Sequence, residues 1–370
     1  MKSVRLGIIG LGNMGKVHAR HILENKVARV QLAAVCDQRM EQLTPFAPAK
    51  TYTDANKMLA DSAVDAVLIA TPHFDHTALG IAALQAGLHV LVEKPISVHK
   101  ADAHRLLAAH TNPRQVFAAM FNQRTDPRYR HLRQLIQSGE LGAVQRINWT
   151  ITDWFRTQAY YNAGSWRATW AGEGGGVLLN QSPHQLDLLW WLFGEPAKVR
   201  AFCQFGRFHK IEVEDSVTAY LEYPNGAQGV FITTTGEAPG TNRLEVATDR
   251  GRIIIEGLNL QWSRSEKSVS EWCATHPKGF EPPPLTQQNF SFTNTGGQHT
   301  EVLQNFVDAI LEGTPLIAPA AEGIHSVELA NAMLYSTFIN DTVTLPLDAT
   351  AYEAALLKKI SANPLTLSQI

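Results

Sequence analysis

The sequence has few cysteines, no long apolar run and no excess of charge of one sign, and each shortage excludes a class of protein. Its three cysteines, Cys36, Cys203 and Cys273, lie far apart among 370 residues, which argues against a disulfide framework and favours a reducing compartment. No apolar run reaches the roughly 18–20 residues that a membrane span requires. The net charge of -2 offers no basic surface to nucleic acid or to an acidic membrane.

The first residues also show no targeting signal. A short apolar stretch runs directly into the glycines at 7 and 10, with no cleavage-type segment behind it, so secretion is not expected. We therefore expect a cytoplasmic protein whose partners include neither nucleic acid nor a membrane.

What the sequence does contain is an alternation of strand and helix patterns over its first 120 residues. Short apolar runs at 4–9, 30–36, 66–70, 90–92 and 116–120 alternate with helix-sized segments such as 14–24, 76–86 and 100–110. Strands separated in this way are typical of βαβ units with a parallel sheet. We therefore predict an α/β protein whose first domain, residues 1–122, is a doubly wound Rossmann fold.

After residue 122 strand patterns dominate, and a chain of this length is expected to form a second domain. Strands are predicted at 144–154, 199–208, 217–223, 228–235, 243–248 and 252–256, and helices at 127–138, 177–193, 298–311 and 320–338. Residues 263–297 are rich in polar residues, proline and glycine, and indicate an exposed excursion. Residues 123–370 are thus predicted to form an α+β domain for substrate binding and oligomerisation, built on a large, mostly antiparallel open sheet.

A glycine-rich turn follows the first strand directly and leads into the first helix. Its sequence Gly10-Leu11-Gly12-Asn13-Met14-Gly15 allows a tight turn, close approach of a pyrophosphate and close packing of helix on strand. Asp37 ends the second strand, where a carboxylate binds ribose hydroxyls and repels a 2′-phosphate. We therefore predict NAD as the cofactor, although Arg39, which is able to accommodate that phosphate, leaves NADP open.

Two further segments carry candidate catalytic residues. Glu93 and Lys94 end a parallel strand, where a lysine can stabilise developing alkoxide charge. Three glycines at 174–176 lead into a predicted helix on which Asn180, His184 and Asp187 share one face. There the amide oxygen of Asn180 is predicted to orient the His184 imidazole.

Together the glycine turn, the segment 86–95 that ends in Glu93-Lys94-Pro95 and the helix entry ending in His184 resemble the Gfo/Idh/MocA oxidoreductase family over nearly the whole chain. The resemblance implies a nicotinamide cofactor and a polyol, sugar or nucleotide-sugar substrate. It also implies that Lys94 contacts the reacting hydroxyl and that His184 is the general acid/base. The chain departs from the family pattern at Asn180, where Asp is frequent, at Ser182, and at Thr71-Pro72-His73 after the fourth strand.

The remaining candidates surround these motifs. The cofactor-binding candidates are Gly10, Gly12, Asn13, Met14, Gly15, Asp37, Arg39, Thr71, Pro72, His76, Glu93 and Lys94. The substrate-binding candidates are Lys94, Asn122, Arg124, Trp154, Arg156, Trp166, Arg167, Asn180 and His184. The segment 149–170 holds four of the eight tryptophans, so it is predicted either to line a sugar pocket or to form a subunit interface. For Arg124 the alternative is a salt bridge at the domain junction.

These features predict an enzyme that moves a hydride between NAD(P) and a secondary hydroxyl of a sugar or cyclitol. Lys94, His184 and Asn180 are its predicted catalytic residues. Two alternatives remain: a dinucleotide-sensing regulator, and a lyase, hydrolase or epimerase that uses tightly bound NAD in an internal redox cycle. No metal is expected, because the HxxH pair His73 and His76 has no evident third ligand. A homodimer or homotetramer is expected.

Overall fold

The computed structural model describes residues 2–164 and 166–362, and the first part of the chain forms a six-stranded parallel sheet. Its strands are β1 (Val4–Ile9), β2 (Val30–Cys36), β3 (Lys50–Tyr52), β4 (Ala66–Ile69), β5 (His89–Val92) and β6 (Phe117–Ala119). They lie in the order β3-β2-β1-β4-β5-β6. The order reverses between β1 and β4, and ligands of doubly wound folds bind at the carboxyl ends of the strands at such a point.

Helices on this sheet connect the strands and bury them. They are α1 (Asn13–Leu23), α2 (Met40–Leu43), α3 (Ala55–Ala60), α4 (His73–Gln85) and α5 (Lys100–Ala108). All four residues of β4 are buried, as expected for a parallel sheet with both faces covered. The predicted Rossmann architecture is therefore confirmed.

The second part of the chain forms a nine-stranded sheet. Its strands are β7 (Val144–Ile151), β8 (Lys198–Phe205), β9 (Glu214–Glu222), β10 (Gln228–Thr234), β11 (Asn242–Thr248), β12 (Gly251–Glu256), β13 (Asn259–Ser265), β14 (Leu285–Ser291) and β15 (Val343–Thr344). Their order is β14-β13-β12-β11-β7-β10-β9-β8-β15. Only β7 and β10 pair in parallel, so the predicted mostly antiparallel sheet is confirmed.

One face of the large sheet packs on helices. Apolar residues of α6 (Pro127–Gln137), α8 (Pro183–Phe193) and α11 (Gly323–Ile339) share a single core with the inward residues of the strands. Burial alternates along the strands, for example in β8, which is typical of a sheet with one covered face.

The structure corrects three element predictions. The helix predicted at 177–193 begins only at Pro183, and residues 177–182 form turns instead. The predicted excursion at 263–297 contains α9 (Val269–Thr275) and the edge strand β14. β14 is polar and largely exposed, so it lacks the apolar alternation that marks a strand. A further helix, α12 (Ala349–Ala362), follows the two predicted late helices.

α10 (Gln298–Glu312) comes late in the chain but packs against the first, parallel sheet. Its buried residues Val302, Leu303, Phe306 and Val307 join the core that contains Leu6 and Ile8 of β1 and nearby residues. A boundary at residue 122 therefore leaves α10 outside the first unit, although this helix completes the core of that unit. The division into 1–122 and 123–370 stays a prediction.

The described ranges contain no helix long and apolar enough to cross a membrane. All three cysteines are free, and Cys36 and Cys203 are buried.

Candidate active site

Three glycines shape the turn between β1 and α1 and leave room for a ligand. Gly10 has a φ of +91°, and an added Cβ there would lie 2.6 Å from the carbonyl oxygen of Ala70. A Cβ on Gly15 would lie 1.9 Å from the carbonyl oxygen of Gly10. At Gly12, the residue before α1, no described atom lies within 4 Å of an added Cβ. This open helix N-terminus, with Asn13 and Met14 in its first turn, fits the pyrophosphate of a dinucleotide.

Asp37 stands beside this turn at the end of β2. Its carboxylate accepts hydrogen bonds from the backbone N–H of Leu11 at 2.9 Å and of Arg39 at 3.0 Å. Burial alone would raise the pKa of Asp37, but these hydrogen bonds outweigh burial and hold the pKa below its usual value. The ionised carboxylate is suited to ribose hydroxyls. The Arg39 side chain lies 3.2 Å from the same carboxylate and is 58% exposed.

Thr71, Pro72 and His76 lie where β4 passes into α4, and they differ in what they offer a cofactor. The Thr71 hydroxyl is buried next to the glycine turn and has no hydrogen-bond partner within the described ranges. Pro72 directly precedes α4. The His76 ring nitrogens face the backbone oxygens of Pro95 at 2.8 Å and Thr71 at 3.0 Å. The His76 ring therefore connects two loops, whereas it was predicted to contact the cofactor. The Thr71 hydroxyl, in contrast, is available to a ligand.

Glu93 and Lys94 follow β5, and each has a defined partner. Glu93 accepts a hydrogen bond from the ring of His18 at 2.7 Å, and although burial opposes it, this contact lowers the pKa of Glu93 to about 2. The Lys94 Nζ donates a hydrogen bond to the backbone oxygen of Asn180 at 2.5 Å. Burial lowers the pKa of Lys94, while the nearby carboxylates Glu93 and Glu173 raise it.

The glycine segment before α8 is fixed by a buried carboxylate. Glu214, at the start of β9, accepts hydrogen bonds from the backbone N–H of Gly176 at 2.8 Å and of Leu178 at 3.0 Å. A Cβ on Gly176 would lie 2.0 Å from the Glu214 carbonyl oxygen, so only glycine permits this approach. Burial raises the pKa of Glu214 to about 7. The segment thereby carries the Asn180 backbone to Lys94 and His184 to the start of α8.

His184 lies in the first turn of α8, with its ring edge-on to Phe121 at 6.3 Å. Its Nδ1 is buried and has no partner in the part of the chain that the structure describes. Burial holds the pKa of His184 well below 6.5, and the charge of Lys94 lowers it further. The imidazole is therefore neutral at physiological pH, as a general base must be.

Asn180 does not lie on α8, and its side chain is engaged away from His184. The amide nitrogen donates to the carboxylate of Glu173, and the amide oxygen accepts from the Tyr160 hydroxyl at 3.5 Å. The prediction that this amide oxygen orients the imidazole is therefore wrong. Its basis was a helix from 177, and the turns at 177–182 instead direct the amide towards Glu173.

The Arg124 guanidinium forms an ion pair at the junction of the two units instead of facing the site. It contacts Asp187 of α8 at 2.6 and 2.8 Å and also binds Glu322. The Arg124 and Asp187 side chains are each 1% exposed. The structure thus favours the salt-bridge alternative over substrate binding. Asn122 donates to Gln298 at 2.6 Å, and its buried Oδ1 has no partner among the described residues.

The aromatic segment contributes a cluster of rings and guanidinium groups near Lys94. The Arg156 guanidinium lies over the ring of Trp154 at 6.0 Å, and that of Arg167 lies over Trp166 at 4.8 Å. The charges of both arginines lower the pKa of Lys94. Arg156 and Arg167 are therefore close enough to Lys94 to affect its pKa. Their predicted role as substrate contacts stays a prediction.

Four residues at or beside the site are not among the predicted site residues. They are His18, Tyr160, Glu173 and His299. His18 of α1 is fully buried, and its spacing from the buried residues Gly15 and Ile22 marks the inward face of that helix. His299 of α10 lies 5.6 Å from His18, ring to ring, and burial lowers its pKa to about 4. Tyr160 lies in the aromatic segment 149–170 that the sequence singles out, whereas for Glu173 the sequence holds no comparable signal.

The HxxH pair does not converge on one point. His73 contacts the Glu173 backbone oxygen at 3.2 Å, whereas His76 is held between two other carbonyls. Elsewhere Glu195, His325 and Glu328 bring ligand atoms within 4.8 Å of one another. Glu328 is already paired there with Lys100 at 2.6 Å. The absence of a metal stays a prediction.

Both parts of the chain match known protein families. Residues 4–120 match an oxidoreductase family with an NAD-binding Rossmann fold, and residues 129–254 match the GFO/IDH/MocA C-terminal domain. Inositol 2-dehydrogenase of Rhizobium meliloti (strain 1021) is 27% identical over 349 residues, which cover 90% of this chain and 97% of that protein. Myo-inositol 2-dehydrogenase of Thermotoga maritima is 26% identical over 267 residues, or 69% and 76% of the two chains.

Solved structures agree. The WlbA dehydrogenase of Bordetella pertussis, in complex with NADH and UDP-GlcNAcA, matches with a TM-score of 0.78 at 25% identity over 94% of this chain and 100% of that one. Levoglucosan dehydrogenase with NADH shares the fold, with a TM-score of 0.77 at 21% identity over 94% and 100% of the two chains.

The Rossmann sheet, the glycine turn and the matched NAD-binding family define an NAD(P)-dependent oxidoreductase. The matches at 4–120 and 129–254 show that the chain belongs to the Gfo/Idh/MocA oxidoreductase family. The family predicted from the sequence motifs is thereby confirmed, as is the nicotinamide cofactor.

Proposed function

We propose that this protein moves a hydride between NAD and a secondary hydroxyl of a sugar or cyclitol, with Lys94 and His184 as its catalytic residues. The observation that supports the proposal is the proximity of these two side chains. Lys94 follows β5 of the first sheet and His184 lies in the first turn of α8, yet the Lys94 Nζ donates a hydrogen bond at 2.5 Å to the backbone oxygen of Asn180, four residues before His184. The names of the inositol and levoglucosan dehydrogenases support a polyol substrate.

The two side chains have different roles in alcohol oxidation: Lys94 binds the substrate oxygen, and His184 accepts the hydroxyl proton. The Lys94 Nζ uses one N–H to bind the Asn180 backbone oxygen, which leaves two N–H groups to hold the substrate oxygen and stabilise its developing charge. The neutral His184 takes the hydroxyl proton onto a ring nitrogen, because burial keeps its pKa well below 6.5. When bound, NAD accepts the hydride that leaves the same carbon.

The experiment is a panel of sugars and cyclitols offered with NAD or NADP, followed by nicotinamide absorbance. Lys94→Met and His184→Ala are each expected to lower kcat by at least about 10²-fold. Their NADH affinity, measured by fluorescence titration, should stay close to that of the unmodified protein. Lys57→Met and His104→Ala, at exposed positions, are the matched controls.

Each outcome separates this proposal from an alternative. Turnover close to normal in either variant would remove that residue from its assigned role. A protein that binds NADH but reduces no member of the panel would favour a dinucleotide sensor. Conversion of substrate without net reduction of added NAD would favour an internal redox cycle instead.

We further propose that the protein works as a homodimer or homotetramer in the cytoplasm, with residues 1–122 and 123–370 as its two domains. Phe202, on the face of β8 opposite the buried core residues, is 59% exposed, which supports self-association through that face. Sedimentation analysis of the purified chain measures the oligomeric state, and a monomer at micromolar concentration would contradict the proposal.

A further inference from the structure

Two arginines near Lys94 lack an acidic partner. The Arg156 Nη1 donates only to the backbone oxygens of Trp154 at 3.3 Å and Phe155 at 2.9 Å. The Arg167 Nη1 donates to the Tyr160 hydroxyl at 2.7 Å. In residues 2–164 and 166–362, no carboxylate lies within ion-pair distance of either guanidinium, in contrast to the paired Arg124.

Both guanidinium groups lie close to the ring of Tyr160, and hydrogen bonds through Asn180 connect Tyr160 to the Lys94 amine. Arg156 lies 5.1 Å and Arg167 4.8 Å from the centroid of Tyr160. The Tyr160 hydroxyl donates to the Asn180 side chain, and the Asn180 backbone oxygen accepts from Lys94 at 2.5 Å. Contacts through Tyr160 and Asn180 therefore link both arginines to Lys94.

The carboxylates near this place are already engaged. Glu173 accepts hydrogen bonds from the backbone N–H of Ala168 at 2.7 Å and from the Asn180 amide, and burial raises its pKa, which disfavours the charged form. Glu93 is paired with His18 at 2.7 Å. Glu93 and Glu173 therefore have hydrogen-bond donors other than Arg156 and Arg167. An arginine fork matches an anionic oxygen pair far better than a neutral hydroxyl, because the charge-assisted hydrogen bond is stronger.

We propose that Arg156 and Arg167 form an anion-binding subsite and that the substrate is an acidic sugar or cyclitol. The anionic group is a carboxylate or a phosphoryl group, held by the two guanidinium groups while the hydroxyl to be oxidised meets Lys94 and His184. This inference rests on the proposed function, since it assumes that the polyol binds beside Lys94. It adds that the polyol is charged.

The test compares matched neutral and acidic compounds. D-glucose is compared with D-glucuronate and with D-glucose 6-phosphate, and D-galactose with D-galacturonate, in NAD reduction and in calorimetric binding to the NAD-loaded protein. Because a hydrogen bond to a charged group is worth about 1.5–3 kcal/mol, an acidic member should exceed its neutral partner at least about tenfold in kcat/KM or affinity. The carboxylate and phosphate arms identify which anion the subsite takes.

Arg156→Met and Arg167→Met should each lower kcat/KM for the acidic sugar at least about tenfold, and far more than they lower kcat/KM for its neutral partner. Arg167→Lys should restore part of the kcat/KM for the acidic sugar. The control is Arg252→Met, at an exposed position of β12. A general loss of structure would instead lower the values for neutral and acidic sugars together.

The two proposals fail in different ways. Absence of NAD reduction with every polyol would refute the proposed function, whereas calorimetry would still measure whether the acidic compounds bind. Neutral and acidic members that bind equally, or an acid preference unchanged in both methionine variants, would overturn the anion subsite.

Discussion

Replacing Arg124 with methionine is expected to destabilise the protein strongly at neutral pH, because it leaves a buried carboxylate without its cation. Arg124 and Asp187 are each 1% exposed, and two hydrogen bonds of 2.6 and 2.8 Å join them. Removing one partner of a buried ion pair typically costs about 3–5 kcal/mol in the free energy of unfolding. The Glu322 carboxylate would lose its contact with the same guanidinium.

The destabilisation should depend on pH, with a sign that follows from Asp187. Burial already raises the pKa of Asp187 above 3.8, and Arg124 opposes that rise. Without Arg124 the folded-state pKa rises further, so the folded variant binds a proton that the unfolded chain has released. The loss of stability should therefore be small near pH 4 and grow as the pH rises through the folded-state pKa of Asp187.

Urea unfolding followed by tryptophan fluorescence measures this effect. The matched control is Arg243→Met, whose guanidinium also contacts two carboxylates but is 37% exposed; its cost should stay within about 1 kcal/mol. The double variant Arg124→Met/Asp187→Leu should recover most of the stability, because no fully buried charge is left unpaired and the Glu322 side chain is 35% exposed. A single variant that unfolds like the unmodified protein but shows a raised KM would refute the structural role and return Arg124 to substrate binding.

Two further predictions concern the cofactor and the base. Asp37→Ala should erode the preference for NAD over NADP in kcat/KM, since the carboxylate that repels a 2′-phosphate is gone; equal efficiencies with both cofactors in the unmodified protein would contradict it. In the oxidation direction the acid limb of kcat/KM should lie below pH 6.5, because the buried His184 is protonated only when the pH falls to its lowered pKa. A limb at or above pH 6.5 would mean that another group titrates.

Much of the cofactor site could be predicted from contiguous sequence. The glycine turn at 10–15 and Asp37 act through the conformation of their own backbone and through their position at the ends of β1 and β2. An apolar run followed by this turn and a helix has few other structural solutions, because glycine alone tolerates the φ of +91° at residue 10. The roles of Lys94 and His184 have a different basis, because the resemblance of their motifs to a family implies them.

The side-chain partners around those motifs were decided by tertiary packing. Arg124 and Asp187 are 63 residues apart, and the engagement of Asn180 by Glu173 depends on where the turns at 177–182 place its amide. Whether an arginine is paired, as Arg124 is, or unpaired, as Arg167 is, depends on which distant carboxylates the fold brings within hydrogen-bonding reach. The sequence by itself therefore determined the class of fold and the cofactor turn, because local backbone geometry specifies them, whereas the candidate catalytic pair is implied by the resemblance to a family. Only the tertiary structure decided which charges are neutralised, because electrostatic partners are chosen by distance in space and by burial.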